Sequence, residues 1–121
     1  MIRVALVDDQ AMFRAGIAMV LDSQPDLEVV GQASDGDEVP ALVDRVQPDV
    51  VVMDVRMSRV DGVTATRRLC ERLGAAAPKV LVLTTFDLDE AAVSAIEAGA
   101  SGFVLKNARP CLLYTSDAAD E

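Results

Sequence analysis

Ile2-Arg3-Val4-Ala5-Leu6-Val7-Asp8-Asp9-Gln10 is a short run of β-branched and aliphatic residues that stops abruptly at two carboxylates. Three later runs end in the same manner. Val50 to Met53 is followed by Asp54, Val80 to Leu83 by Thr84 and Thr85, and Phe103 to Leu105 by Lys106. Short apolar runs separated by helix-periodic segments read as buried parallel strands, and in such sheets the reactive crevice lies beyond the carboxyl ends of the strands. One edge of the fold is thus expected to gather three acids, hydroxyls and a lysine.

Outward from the first run, Phe13, Ile17, Val20 and Leu21 recur at helical spacing, and that helix should stop near Ser23, ahead of Pro25. Leu27 to Ala33, between Pro25 and the Ser34-Asp35-Gly36 turn, suits a half-covered edge strand. A second helix is expected over about 37–46, with Pro40 tolerated in its first turn, where its missing amide has no intrahelical partner. A loop then leads from Asp54 through Ser58 to Asp61-Gly62, and Thr66, Leu69, Cys70 and Leu73 mark one face of a third helix that ends at Gly74. Strand four spans about Lys79 to Leu83. Asp87 and Glu90 have capping-box spacing for a fourth helix running to Gly99, and its alanines give it a weak apolar grip. Gly102 opens the last strand, and Pro110 starts a fifth helix. Five β-α repeats with no second hydrophobic cluster indicate an α/β fold: a doubly wound, five-stranded parallel sheet, order 2-1-3-4-5, flavodoxin-like, with helices on both faces.

Composition narrows the function. The chain has 121 residues, 51% of them hydrophobic, but aromatic residues make up 3% and there is no Trp, so the core must be built from small aliphatics. A formal net charge of -9 argues against this segment gripping a phosphate backbone, which needs clustered Lys and Arg. Arg67, Arg68 and Arg72 are expected on a solvated helix face. Without any His, and with Cys70 and Cys111 far apart, the common zinc and nucleophile-base constellations are missing. No signal-peptide pattern and no apolar run of membrane-spanning length occur, so the expected location is cytoplasmic, without membrane contact.

In the order 2-1-3-4-5, strands one and three are neighbours where the winding reverses, so Asp8, Asp9 and Asp54 converge. Close carboxylates repel one another strongly at low effective dielectric, and either protons or a cation must relieve them. Oxygen donors without His or Cys favour a hard ion, Mg²⁺ or Mn²⁺. A single acid at a strand end can also serve simply as a helix N-cap, a reading that three acids together with Thr84 and Lys106 disfavour.

These residues carry a family resemblance. Val7-Asp8-Asp9, Met53-Asp54-Val55-Arg56-Met57, Asp61-Gly62, Leu83-Thr84-Thr85-Phe86-Asp87 and Gly99 to Lys106 resemble the receiver domain of bacterial two-component response regulators. The wording around Thr84 and Lys106 is similar to receivers of the NarL/FixJ type, which carry a LuxR-like helix-turn-helix output domain. The resemblance covers about residues 1–110 and implies a phosphoacceptor domain there. It implies that Asp54 takes a phosphoryl group from the phosphohistidine of a sensor histidine kinase, while Asp8, Asp9, Asp54 and the backbone carbonyl of Arg56 hold the metal. Lys106 would add a second cation at the phosphoryl group. Thr84 would be the switch hydroxyl, and Phe103 the aromatic that turns inward in response, although Phe103 reads equally as a core side chain. Arg56 and Phe86 would flank the acceptor. The further implied partners are a second copy of the chain on phosphorylation and, through the output domain absent here, DNA. No turnover enzyme is implied beyond catalysis of its own phosphorylation and dephosphorylation.

Two departures stand out. Ser58 occupies the place where the family usually has proline, which leaves that loop without a fixed φ. The other lies in residues 111–121, an atypical tail that replaces or truncates helix five. Two other classes fit less well. A flavin module of the same topology needs Ser, Thr and Gly amides to cradle phosphate in its first loop, where this chain has Asp8-Asp9-Gln10. An aspartyl-phosphate phosphatase typically needs a second Asp two residues after its nucleophile, where Arg56 or Gln10 stands.

Overall fold

The computed structural model describes residues 1–55, 57–84, 97 and 99–105, with the backbone alone at 84 and 103–105. Along these, β1 (Ile2–Val7), α1 (Ala11–Asp22), β2 (Leu27–Ala33), α2 (Val39–Val46), β3 (Val50–Asp54), α3 (Gly62–Leu73), β4 (Lys79–Thr84) and β5 (Gly102–Leu105) follow one another. The strands pair in parallel in the order β2-β1-β3-β4-β5.

Side chains alternate across each strand, so both faces of the sheet must be covered. Val4 and Leu6 of β1, Val52 of β3 and Leu83 of β4 point to one side, where they meet Ala18 and Leu21 of α1 with Phe13 and Ile17 beside them. Ala5, Val7, Val51, Met53, Val80 and Val82 point to the other, against Val39, Leu42 and Val43 of α2 and Ala65 and Leu69 of α3. Reversal of the winding about β1, with right-handed crossovers, puts α1 and α2 on opposite faces. Each buried Val or Leu contributes roughly 1.5–3 kcal/mol through removal of apolar surface from water.

Several local details differ from the sequence expectation. The second helix is preceded by a 3-10 turn at Gly36–Glu38 and becomes α-helical only at Val39, which keeps Pro40 in its first turn. Asp54 and Thr84, expected just past their strands, are the last strand residues, because β3 and β4 stay paired through Asp54 and Leu83. The register of β1 on β2 slips by one residue between Val4 and Ala5. At the amino edge, Asp49 accepts the Arg3 amide at 2.9 Å, donates its own amide to the Arg3 carbonyl and accepts the Lys79 amide on its carbonyl, which ties three strand starts together. The expected fourth helix lies outside the described residues except for Glu97 and Gly99, as do the fifth helix and the tail.

Candidate functional site

Asp8 follows the last residue of β1, and its carboxylate is turned back by the strand-to-helix junction. The Gln10 amide donates to Asp8 Oδ1 at 2.8 Å, and the Arg14 guanidinium donates to the Asp8 carbonyl oxygen at 2.6 Å. The Asp8 amide is held by Ala33 of β2 at 3.1 Å. Asp54 closes β3 beside it. Asp8 is fully buried, Asp54 is 5% exposed and Asp9 lies open to solvent.

One carboxylate oxygen from each of Asp8, Asp9 and Asp54 lies within 4.8 Å of the others. The N-cap positions of the adjacent helices belong to other residues: Gln10 precedes α1 without a side-chain cap bond, and Asp61 caps α3 by accepting the Thr64 amide at 2.7 Å. None of the three acids is therefore an N-cap. What remains is a shared pocket of hard, anionic oxygen donors, the donor set a small divalent cation takes. Like charges at such distances favour proton uptake or cation binding.

The loop after Asp54 is built around tight backbone contacts. Val55 donates its amide to Leu83 at 3.1 Å and accepts the Gly62 amide on its carbonyl at 2.7 Å, which closes the loop at its base. A Cβ on Gly62 would lie 2.2 Å from the Asp54 carbonyl oxygen, so only glycine lets α3 start here. The upper limb of the loop is held by Asp35, which is 2% exposed. Asp35 accepts the amides of Gly36 at 2.7 Å, Arg59 at 3.0 Å and Val60 at 2.8 Å. Burial alone would push the Asp35 carboxyl up, but these amides, aided by the Arg59 charge, hold it below the ordinary carboxylate value. The Arg59 side chain hydrogen-bonds Asp37 through Nε at 2.7 Å and reaches Glu38 at 3.1 Å, which lowers the Asp37 carboxyl and raises the guanidinium.

Of the residues singled out by sequence, Asp8, Asp9 and Asp54 are thus brought together. Thr84 ends β4 opposite Leu105, and Phe103 lies opposite Val82; the side chains of Thr84 and Phe103, and all of Arg56, Phe86 and Lys106, are outside the described residues. Arg67, Arg68 and Arg72 are all exposed as expected, and Arg72 also forms an ion pair with Asp44 of α2. Sequence reasoning missed Asp35 and Arg59. The only signal was an Asp-Gly pair after a strand, which marks a turn but not the loop it holds.

A family model described as the response regulator receiver domain matches residues 4–116. The chain belongs to that family. Among curated relatives, the receiver is 46% identical over 109 residues to the transcriptional regulatory protein LiaR of Bacillus subtilis, covering 90% of this chain and 51% of LiaR. It is 41% identical over 107 residues to the DNA-binding transcriptional activator DevR/DosR of Mycobacterium tuberculosis, covering 88% and 48%. A LuxR-family two-component response regulator from an Aurantimonas species superposes with a TM-score of 0.89 at 34% identity, covering 98% of this chain and 84% of that one. The receiver spans about half the length of the curated relatives it matches. No helix among its described residues is long and apolar enough to cross a membrane.

Proposed function

We propose that this receiver, in the cytoplasm, accepts a phosphoryl group on Asp54 from the phosphohistidine of a sensor histidine kinase. The observation that carries the reading is the meeting of Asp8, Asp9 and Asp54 within 4.8 Å at the carboxyl edge of the sheet. An Asp54 carboxylate oxygen bonds to phosphorus as the P–N bond of phosphohistidine breaks. The electron pair leaves on the ring nitrogen, which takes a proton from solvent.

Asp8, Asp9 and Asp54, with the Arg56 carbonyl, are the residues that would hold Mg²⁺ or Mn²⁺. When bound, the ion neutralises the charge that keeps two anions apart and orients the phosphoryl oxygens. Residues 1–110 form the acceptor unit in this reading, and Lys106, next in sequence after β5, would act as a second cation at the phosphoryl group. Thr84, at the end of β4, supplies the hydroxyl that recognises the modified Asp54, and Phe103 on the neighbouring strand transmits the change. The output is dimerisation and, in the whole protein, DNA binding by a separate domain of the kind that DevR/DosR is named for. The receiver itself hydrolyses only its own acyl phosphate.

Intact-mass analysis after incubation with Mg²⁺ and acetyl phosphate tests this directly. The wild type gains the mass of one phosphoryl group and Asp54→Asn gains none. Label retained on Asp54→Asn would remove Asp54 from its role.

A further inference from the structure

Asp35 lies outside the acid cluster, and its buried carboxylate accepts three backbone amides. Its three amide donors come from two loops: Gly36 beside it, and Arg59 and Val60 from the loop that follows Asp54. The two loops touch backbone to backbone, since a Cβ on Gly36 would lie 2.3 Å from the Val60 carbonyl oxygen. That second loop leaves β3 at Asp54 and is closed at its base by the Gly62 amide on the Val55 carbonyl. Ser58, in its middle, imposes no fixed φ. Met57 and Val60 pack on the core and the Arg59 side chain pairs with Asp37 and Glu38, but the backbone at 59 and 60 is fixed by the Asp35 carboxylate.

We infer that Asp35 is a positioning residue for the cation site: its buried carboxylate sets the path of the loop after Asp54 and so tightens binding of a divalent cation by Asp8, Asp9 and Asp54. The inference rests on the acceptor reading above. A carboxylate that accepts three amides selects one arrangement of the chain that supplies them, whereas an unclamped loop would sample several. Only a fraction of the molecules would then be competent, and the apparent affinity would drop by that fraction. Residues that orient ligands without touching the metal typically change its affinity by about 10–100-fold. Linkage makes the effect reciprocal: if the clamp favours the cation, the cation must favour the clamp by the same factor.

Two measurements on the intact chain test this. Calorimetric titration with Mg²⁺ is expected to show binding about tenfold weaker for Asp35→Asn than for wild type. Asp49→Asn, which weakens the opposite edge of the sheet, serves as the control for stability alone. It is expected to melt earlier but to bind Mg²⁺ within about twofold of wild type, since distant sites act independently. Amide hydrogen exchange on the wild type reads the converse, with the Arg59 and Val60 amides expected to exchange more slowly once Mg²⁺ is added. A folded Asp35→Asn with wild-type affinity overturns the inference. Should Asp35→Asn fail to fold, the wild-type exchange decides, and Arg59 and Val60 amides indifferent to Mg²⁺ overturn it as well. Wild type that binds no Mg²⁺ sinks the acceptor reading first, which separates that failure from this one.

Discussion

Two groups of acids sit at the same edge of the sheet and are built on opposite principles. Around Asp35, Asp37 and Glu38 the chain brings its own positive partners: three backbone amides and the Arg59 guanidinium. Around Asp54 the chain instead turns three carboxylates toward one another, within 4.8 Å. The first group is balanced by covalently attached donors, so its geometry is permanent structure. In the second, like charges meet, and on the proposed function a cation and a phosphoryl group come and go there, so its state can change. That difference separates a brace from a receiver of signals, although both are clusters of acids a few residues from a strand end.

The most severe test of the contrast is removal of a carboxylate from the second group. Asp54→Asn is expected to abolish phosphoryl uptake altogether. Thermal melts sharpen the point: at about a hundredfold excess over its Kd, Mg²⁺ should stabilise the wild type by about 2.7 kcal/mol. A tenfold loss of affinity in Asp54→Asn should remove about 1.3 kcal/mol of that gain, and a hundredfold loss about 2.3 kcal/mol. Equal Mg²⁺-induced shifts in the two proteins would show that the cluster is not where the cation acts.

Next in size is Gly62→Ala, which attacks the join between the groups. Its new Cβ would stand 2.2 Å from the Asp54 carbonyl oxygen and 2.9 Å from the Val55 Cα, both main-chain atoms that cannot swing aside. Forced backbone displacement of this kind costs about 3 kcal/mol. Urea denaturation should show the loss, with slower phosphoryl uptake in the protein that remains folded. A neutral outcome would mean that the start of α3 can move without disturbing Asp54.

Asp35→Asn disturbs the brace more gently. Asn keeps one carbonyl oxygen for the amides but presents an amide group to another donor, a net cost of about 1–2 kcal/mol near neutral pH. The pH dependence gives a cleaner signature. Because the folded Asp35 carboxyl is held below its ordinary 3.8, its contribution to stability is complete above that value and fades as pH falls through the folded value. Asp37, lowered by the Arg59 side chain, fades in the same direction. Acid titration of the wild type should therefore show a stability decline below about pH 4 that is shallower in Asp35→Asn. Parallel curves for the two proteins would mean that the carboxylate is not the titrating brace.

Much of this was legible in the sequence, and what was not has a common cause. Strand order, the two-sided burial and the meeting of Asp8, Asp9 and Asp54 follow from periodicity and from the rule that ligand sites lie at carboxyl strand ends, both properties of short stretches read in order. The β-bulge between Val4 and Ala5, the 3-10 turn before Val39 and the amide clamp at Asp35 were not visible. Each depends on contacts between segments, and Asp35 meets Val60 across 25 positions. An Asp-Gly pair announces a turn through its local hydrogen bonding, but nothing local says which distant amides its carboxylate will accept. The same holds for Arg72: helical spacing put it on a solvated face, where it lies, but its partner Asp44 comes only from the packing of α2 against α3.

The smallest effect is expected from Arg59→Gln, and it isolates what the brace is made of. The substitution removes the guanidinium from Asp37 and Glu38 but keeps the Arg59 amide that Asp35 accepts. Those ion pairs are well exposed, with the Arg59 side chain at 58% and its two partners near 40%. Solvent screening and the ordering of a long side chain leave little net gain from such pairs, and salt weakens them further. The melting temperature should therefore shift slightly at low ionic strength and not measurably at high salt, with Mg²⁺ affinity unchanged. A large, salt-sensitive loss would move the brace from the buried amides to the surface charges. The Asp35 clamp would then be a consequence of the Arg59 ion pairs and not the contact that holds the loop.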